Sequence, residues 1–203
     1  MTISTTYQPT KDLEIKDKVY KTSLDGLYYL AHNFFPDKRG FFSEVGHTHK
    51  IEDIIGIPFK IAQVNHSRSL ANVVRGMHAE GWNKLVTVTG GVSFSAIADV
   101  RSDSKTFGKV ETFLLGVGDQ VLKGSLFIPA GIANSVCVIT SPVDYMYCVD
   151  KLYKDRDKAG DQAISLFDPD LNISWPIPKD QMIISDRDKQ AVTLRQKFPD
   201  KFK

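Results

Sequence analysis

Cysteine is scarce in this sequence, with two in 203 residues, too few for the disulfide framework of a small secreted scaffold. Both, Cys137 and Cys148, sit in alternating apolar runs where a reduced thiol behaves as a small hydrophobe. Long apolar runs are absent as well: none approaches the roughly 18–20 residues of a membrane helix. The opening MTISTTYQPTKDLEIKDK lacks a charged segment followed by an apolar core, so neither a membrane nor a secretion address is expected. The expected location is the cytoplasm. Nor is charge of one sign in excess, since 26 Lys+Arg face 24 Asp+Glu. General nucleic-acid binding needs basic residues massed on one face, so nucleic acid is not an expected partner and any anion site is local. What remains is a globular composition, 42% hydrophobic and 25% charged, which argues against disorder and coiled coil. At this length one domain buries roughly 70% of the surface of its unfolded chain.

Residues 1–26 are polar and without sustained periodicity, and read as an arm that adds to the domain edge or to a dimer contact. Residues 27–203 read as one domain of β structure. Strand-like runs span Leu27–Phe35, Phe59–Val64, Val73–Met77, Leu85–Val100, Val110–Leu115, Ser125–Ile128, Ser135–Ile139 and Tyr145–Val149. Turn signals such as PDKRG, TGG, GVGD, IPAG and SPVD separate them at the spacing of a sandwich or barrel. Helical character is confined to HKIEDIIG after Thr48 and to RDKQAVTLRQ near the end. The fold class is all-β with small helical additions.

In KLVTVTGGVSFSAIADVR, apolar residues alternate on both sides of a diglycine, the pattern of a tight hairpin. Lys84, Val86 and Val88 then share a face with Ser93, Ser95, Ile97 and Asp99, opposite Phe94, Ala96 and Ala98. A face that mixes Lys, Ser and Asp with Val is either solvent-exposed or the lining of a cavity.

Several residues have both an ordinary and a chemical reading. His78, in VVRGMHAEGWNK, is a structural strand histidine or a base, and Gly76 beside it marks a bulge or a close backbone approach. A metal site of paired histidines is disfavoured because Ala79-Glu80 follow His78 where a second histidine would stand; His47 and His49 lack a convergent partner motif. Arg39, in PDKRGFF, and Arg75 are surface arginines or bidentate diphosphate ligands. Tyr145 and Tyr147 alternate along a strand, and Asp188 in SDRD reads as a helix-start residue.

RGFF (39–42), QVNHS (63–67), VVRGMHAE (73–80), KLV (84–86), DVRSDSKTFG (99–108), IPAGIANSV (128–136), YMYCVDKLY (145–153), FDPDLNISWP (167–176) and SDRD (185–188) occur in characteristic order. Together they resemble the dTDP-4-dehydrorhamnose 3,5-epimerase family over roughly residues 25–190. The resemblance implies a cupin-type jelly roll, a homodimer, an active site inside the barrel, no metal and no cofactor, and a nucleotide diphosphate sugar as substrate. It further implies His78 as base, Asp188 as its orienting carboxylate, Lys84 as enolate partner and Tyr147 as the acid on the opposite face. Arg39, Gln63, Asn65 and Arg75 match positions lining the diphosphate and sugar site, and Asn134 stands where the family commonly has a histidine. Ser95 replaces an aspartate common near the lysine, and Glu80 replaces the glutamine of an HxQ pattern. An inward Glu80 would repel a diphosphate, so either it faces away or the ligand differs. The expected activity is epimerisation at C3, C5 or both of a nucleotide-linked 4-keto-6-deoxy sugar, most simply dTDP-linked. Rival readings are the same chemistry on a GDP- or CDP-linked ketosugar, or a catalytically silent sugar-nucleotide-binding jelly roll.

Overall fold

The computed structural model of the chain describes residues 6–155 and 162–203. Its strands are β1 (Glu14–Lys16), β2 (Val19–Lys21), β3 (Tyr28–Ala31), β4 (Asn33–Asp37), β5 (Gly40–Glu44), β6 (Gln63–Ser69), β7 (Val74–Ala79), β8 (Lys84–Asp99), β9 (Val110–Gly116), β10 (Gly124–Ile128), β11 (Ile132–Val149) and β12 (Gln162–Ala163). The helices are α1 (Thr48–Ile55), α2 (Asp186–Lys189) and α3 (Leu194–Lys197), with short 3-10 turns between elements. Ten strands form one sheet and β4–β5 form a separate ribbon.

The sheet makes two layers because β8 and β11 are long enough to belong to both. The first half of β8 pairs with β10, which continues through β3 to β2 and β1, and with the second half of β11, which β6 flanks. The second half of β8 pairs with β9 and with the first half of β11, flanked in turn by β7 and β12. This is an all-β jelly roll of the cupin type.

Between the layers lies a core that includes Tyr29, Val86, Val88, Leu126 and Tyr145 from one side and Ile97, Phe113, Leu115, Val136 and Val138 from the other. Each layer is covered on its outer face too. Ile51 of α1 packs with Phe59 over Val19, Leu30, Leu85 and Phe127, while Ile164, Leu166, Leu171, Ile177 and Leu194 pack over Phe94, Ala96 and Ala98. The helix α1 forms because Ile51, Ile54 and Ile55 fall on one face, and it stops at Gly56, whose left-handed φ of 72° lets its N–H reach the Glu52 carbonyl. Burying Ile51 fully contributes about 1.5–3 kcal/mol.

The structure departs from the sequence reading at several elements. KLVTVTGGVSFSAIAD is one strand, not a hairpin: Gly90-Gly91 bends it, and both halves pair with β11 rather than with each other. The register against β11 slips at the bend, so the alternation changes phase there; Lys84, Val86 and Val88 still share the inner face with Ser93, Ser95 and Ile97. Ser135–Ile139 and Tyr145–Val149 belong to the single strand β11, which the SPVD signal interrupts only locally. The run Leu27–Phe35 divides at His32 into β3 and β4, and the run at Phe59 is displaced, since Phe59 is a buried coil residue and the strand begins at Gln63. The segment RDKQAVTLRQ forms two short helices rather than one. Cys137 and Cys148 are both free thiols, and burial pushes the Cys137 thiol up to about 12.

Candidate active site

At one end of the barrel a cavity of about 160 Å³ opens where β7, β8 and β11 converge. Ser67 of β6, Arg75 and His78 of β7, Glu80 just beyond it, and Lys84 at the start of β8 line it together with Asn134, Val136, Tyr145 and Tyr147 of β11. The mixed face noted in the sequence is therefore a cavity wall at its Lys84 end.

His78 sits opposite Asn134 in the β7–β11 register. Its Nε2 lies 2.7 Å from Oδ1 of Asp188, a residue 110 positions downstream. Asp188 arrives through α2, which starts at an N-cap: Ser185 Oγ accepts the Asp188 N–H at 3.2 Å. The second carboxylate oxygen accepts the Gly76 N–H at 3.1 Å. Burial alone would raise the Asp188 carboxyl, but the His78 hydrogen bond and charge, with the Gly76 and Ser185 contacts, outweigh it and hold the group below its usual range. Asp188 is thus an ionised acceptor for Nε2–H, so Nδ1 is the ring nitrogen that carries the lone pair whenever the imidazole is unprotonated. Gly76 permits this packing because a Cβ there would stand 2.6 Å from the Asn134 carbonyl oxygen and 2.9 Å from Ser135 Cα.

Lys84 is buried, with 4% of its side chain exposed. Its ammonium pairs with the Glu80 carboxylate and donates to Asn134 Oδ1. Asn134 in turn donates to the Tyr145 hydroxyl at 3.2 Å. Tyr147, two residues on and on the same face, has its ring centroid 5.9 Å from that of Tyr145. Burial, helped by the charges of Glu80 and Tyr153 and opposed by Arg75, raises the Tyr147 phenol above its ordinary value. The phenol is therefore protonated near neutral pH, as a proton donor must be. Arg75 is pinned to the side of the cavity by Ser69 Oγ, which accepts from its Nε at 2.8 Å.

The sequence candidates thus divide. His78, Lys84, Tyr147, Arg75 and Asn134 line one cavity, with Asp188 directly behind His78. Gln63 and Asn65 lie on the same face of β6 as Ser67, joined by a 2.5 Å hydrogen bond, and Asn65 stands opposite Tyr147 in register; they extend that wall beyond the lining. Arg39 is not brought to the cavity of its own chain. It sits in the turn between β4 and β5, paired with Asp37 at 2.6 Å, and its side chain is 83% exposed. Two features lie beyond the sequence candidates: Tyr145 brings a buried hydroxyl to Asn134, and Glu80, whose direction the sequence leaves open, faces inward. The alternation of Tyr145 with Tyr147 was the signal for the first. Ser95 hydrogen-bonds Ser93 at 3.2 Å and is not part of the lining.

The sequence pattern described as dTDP-4-dehydrorhamnose 3,5-epimerase matches residues 21–196. The chain belongs to this family. The dTDP-4-dehydrorhamnose 3,5-epimerase of Escherichia coli (strain K12) is 33% identical over 87% of this chain and 94% of its own length. A dTDP-4-dehydrorhamnose 3-epimerase of Streptomyces niveus is 30% identical over 85% of this chain and 82% of its own. Among solved structures, the dTDP-6-deoxy-D-glucose-3,5-epimerase of Legionella pneumophila, in complex with dTDP-4-keto-L-rhamnose, superposes with a TM-score of 0.77. It is 31% identical, covering 87% of this chain and 92% of its own. Family membership and the jelly roll expected from the motifs are thereby established.

Proposed function

We propose that the chain epimerises a dTDP-linked 4-keto-6-deoxy sugar at C3, C5 or both. The single observation that carries this reading is the convergence of a carboxylate-oriented histidine, a buried lysine and a protonated tyrosine on one cavity. A C–H bond beside a ketone is acidic because the electron pair left behind delocalises onto the carbonyl oxygen. His78 takes that proton through Nδ1, and Asp188 stabilises the imidazolium that results. The Lys84 ammonium meets the enolate oxygen as its charge develops, an interaction worth about 10²–10³ in rate for a preorganised donor. Tyr147 returns a proton to the opposite face and the centre inverts. Arg75 takes the diphosphate, and Gln63, Asn65 and Asn134 hold the rest of the ligand at the rim and wall. Relatives named as 3,5-epimerase and as 3-epimerase both resemble this chain, so regiochemistry is read out directly. Incubation with dTDP-4-keto-6-deoxyglucose in deuterated water is expected to place deuterium at C3 or C5. Absence of exchange from this and from GDP- and CDP-linked ketosugars would overturn the reading.

The working form we infer is a homodimer. The β4–β5 ribbon stands apart from the main sheet and exposes Phe35, Phe41 and Phe42, an apolar surface that favours burial against a second copy. Such burial would carry Arg39, at the ribbon's tip, into the neighbouring molecule. Sedimentation equilibrium is expected to give twice the chain mass; a monomer at micromolar concentration overturns the inference. The free thiols of Cys137 and Cys148 support a cytoplasmic location.

A further inference from the structure

Glu80 is a carboxylate inside a cavity that is to receive an anionic ligand, a placement with an electrostatic cost unless the group has work there. Its partner is Lys84, and the geometry around that lysine is specific. An ammonium has three N–H donors and no acceptor. One is engaged by the Glu80 carboxylate and a second by Asn134 Oδ1. Asn134 is itself fixed, because its Nδ2 donates to the Tyr145 hydroxyl, so its oxygen is the atom turned toward Lys84. With two directions of the tripod occupied, the direction of the third is set.

Burial sharpens the point. The Lys84 side chain is 4% exposed and that of Glu80 16%. A charge so far out of water requires a compensating charge. Ser95, on the same face of β8, is neutral and engaged with Ser93. Asp188 is committed to His78 and Gly76.

We propose that Glu80 is the positioning residue for Lys84: with Asn134 it fixes two of the three ammonium donors and supplies the buried counter-charge, so that the third donor points at the enolate oxygen. The pairing also withholds Lys84 from the diphosphate, leaving that charge to Arg75. Glu80 itself neither gains nor loses a proton in the reaction. The proposal rests on the epimerase reading for its catalytic consequence, but the pairing is testable without turnover.

Two measurements decide it. In the first, solvent deuterium exchange is followed with dTDP-4-keto-6-deoxyglucose. Glu80→Gln is expected to lower kcat at least tenfold while KM changes less than threefold, and Glu80→Asp, which keeps the charge on a shorter arm, to recover part of the loss. Unchanged kinetics overturn the proposal, and so does a raised KM at constant kcat, which would make Glu80 a substrate contact. In the second, urea unfolding is measured for Glu80→Gln, Lys84→Met and the double variant, whose cavity holds neither charge and is expected to fold. Glu80→Gln alone is expected to raise the unfolding equilibrium constant at least tenfold, yet to have little effect once Lys84 is Met. Strictly additive effects overturn the pairing. Failure of Glu80→Gln to fold while the double variant folds supports it. If the natural chain exchanges no deuterium, the epimerase reading fails on its own, and the unfolding cycle still decides the role of Glu80.

Discussion

Asp188 reaches His78 from 110 residues away and holds Nε2 at 2.7 Å. Its other oxygen is anchored by the Gly76 backbone, two residues before the histidine in the same strand. The carboxylate therefore fixes the ring to the strand that carries it. Asp188→Asn keeps the shape but removes the charge that stabilises an imidazolium and allows the wrong tautomer. A loss of about 10²–10⁴ in kcat is expected, with a lowered melting temperature because the amide NH2 faces a donor where the carboxylate had accepted; exchange kinetics together with a thermal melt check it.

Tyr147→Phe separates two events that are joined in the natural protein. His78 still removes the proton and solvent deuterium still reaches the substrate, but the acid of the opposite face is gone. Inversion is expected to fall about 10²-fold or more while exchange with retention persists. Product stereochemistry and deuterium content, read on the same sample by NMR, make the check; parallel loss of both contradicts the role given to Tyr147.

Asp99 ends β8 with a fully buried carboxylate. Burial would raise it, but Arg101, Ser104 and Thr106 all donate to it and bring it down to about 2. Because the folded value lies below the unfolded one, the stabilisation is fully present above the ordinary carboxylate range near pH 4. It is lost as pH falls toward 2. The contribution is about 2 kcal/mol. Urea titrations between pH 7 and pH 2 are expected to show this loss, and Asp99→Asn to flatten that part of the profile.

Gly91 has a φ of 71°, and a Cβ there would run into the carbonyl oxygens of Pro142 and Thr140. Gly91→Ala is expected to cost roughly 2–4 kcal/mol, from the left-handed backbone and the collision together. Gly108→Ala makes the comparison, since Gly108 has a φ of 78° but nothing stands within 4 Å of its Cβ position. Denaturant unfolding of both variants should show the larger loss at position 91.

These glycines also show where sequence reading succeeds and where it stops. Alternation put Lys84 on one face with Ser93 and Ser95, because a hairpin and a one-residue slip at a bend produce the same change of phase. What distinguishes them is the pairing partner, and the partner of Val88 is Tyr145, more than fifty residues on. Local pattern carries no information about it. Ser141-Pro142 broke the alternation of β11 in the same way, so one strand read as two. His78, Lys84, Tyr147 and Asp188 were legible because ordered motifs carried them, whereas the direction of Glu80 depended on a buried lysine looking for a counter-charge. Arg39 was legible as a residue type but not as a position: a single chain leaves it on a ribbon outside the cavity.

The two walls of the cavity share backbone. Because β8 and β11 each run through both layers and pair with one another in both, the two walls are continuous with each other through the bend at Gly90-Gly91. With the histidine, lysine and tyrosine all carried on paired strands, the sugar is the part expected to turn when one carbon or the other is offered. Choice between C3 and C5 then becomes a matter of how freely the ring can pivot about its diphosphate tether, a property of the rim rather than of the catalytic groups.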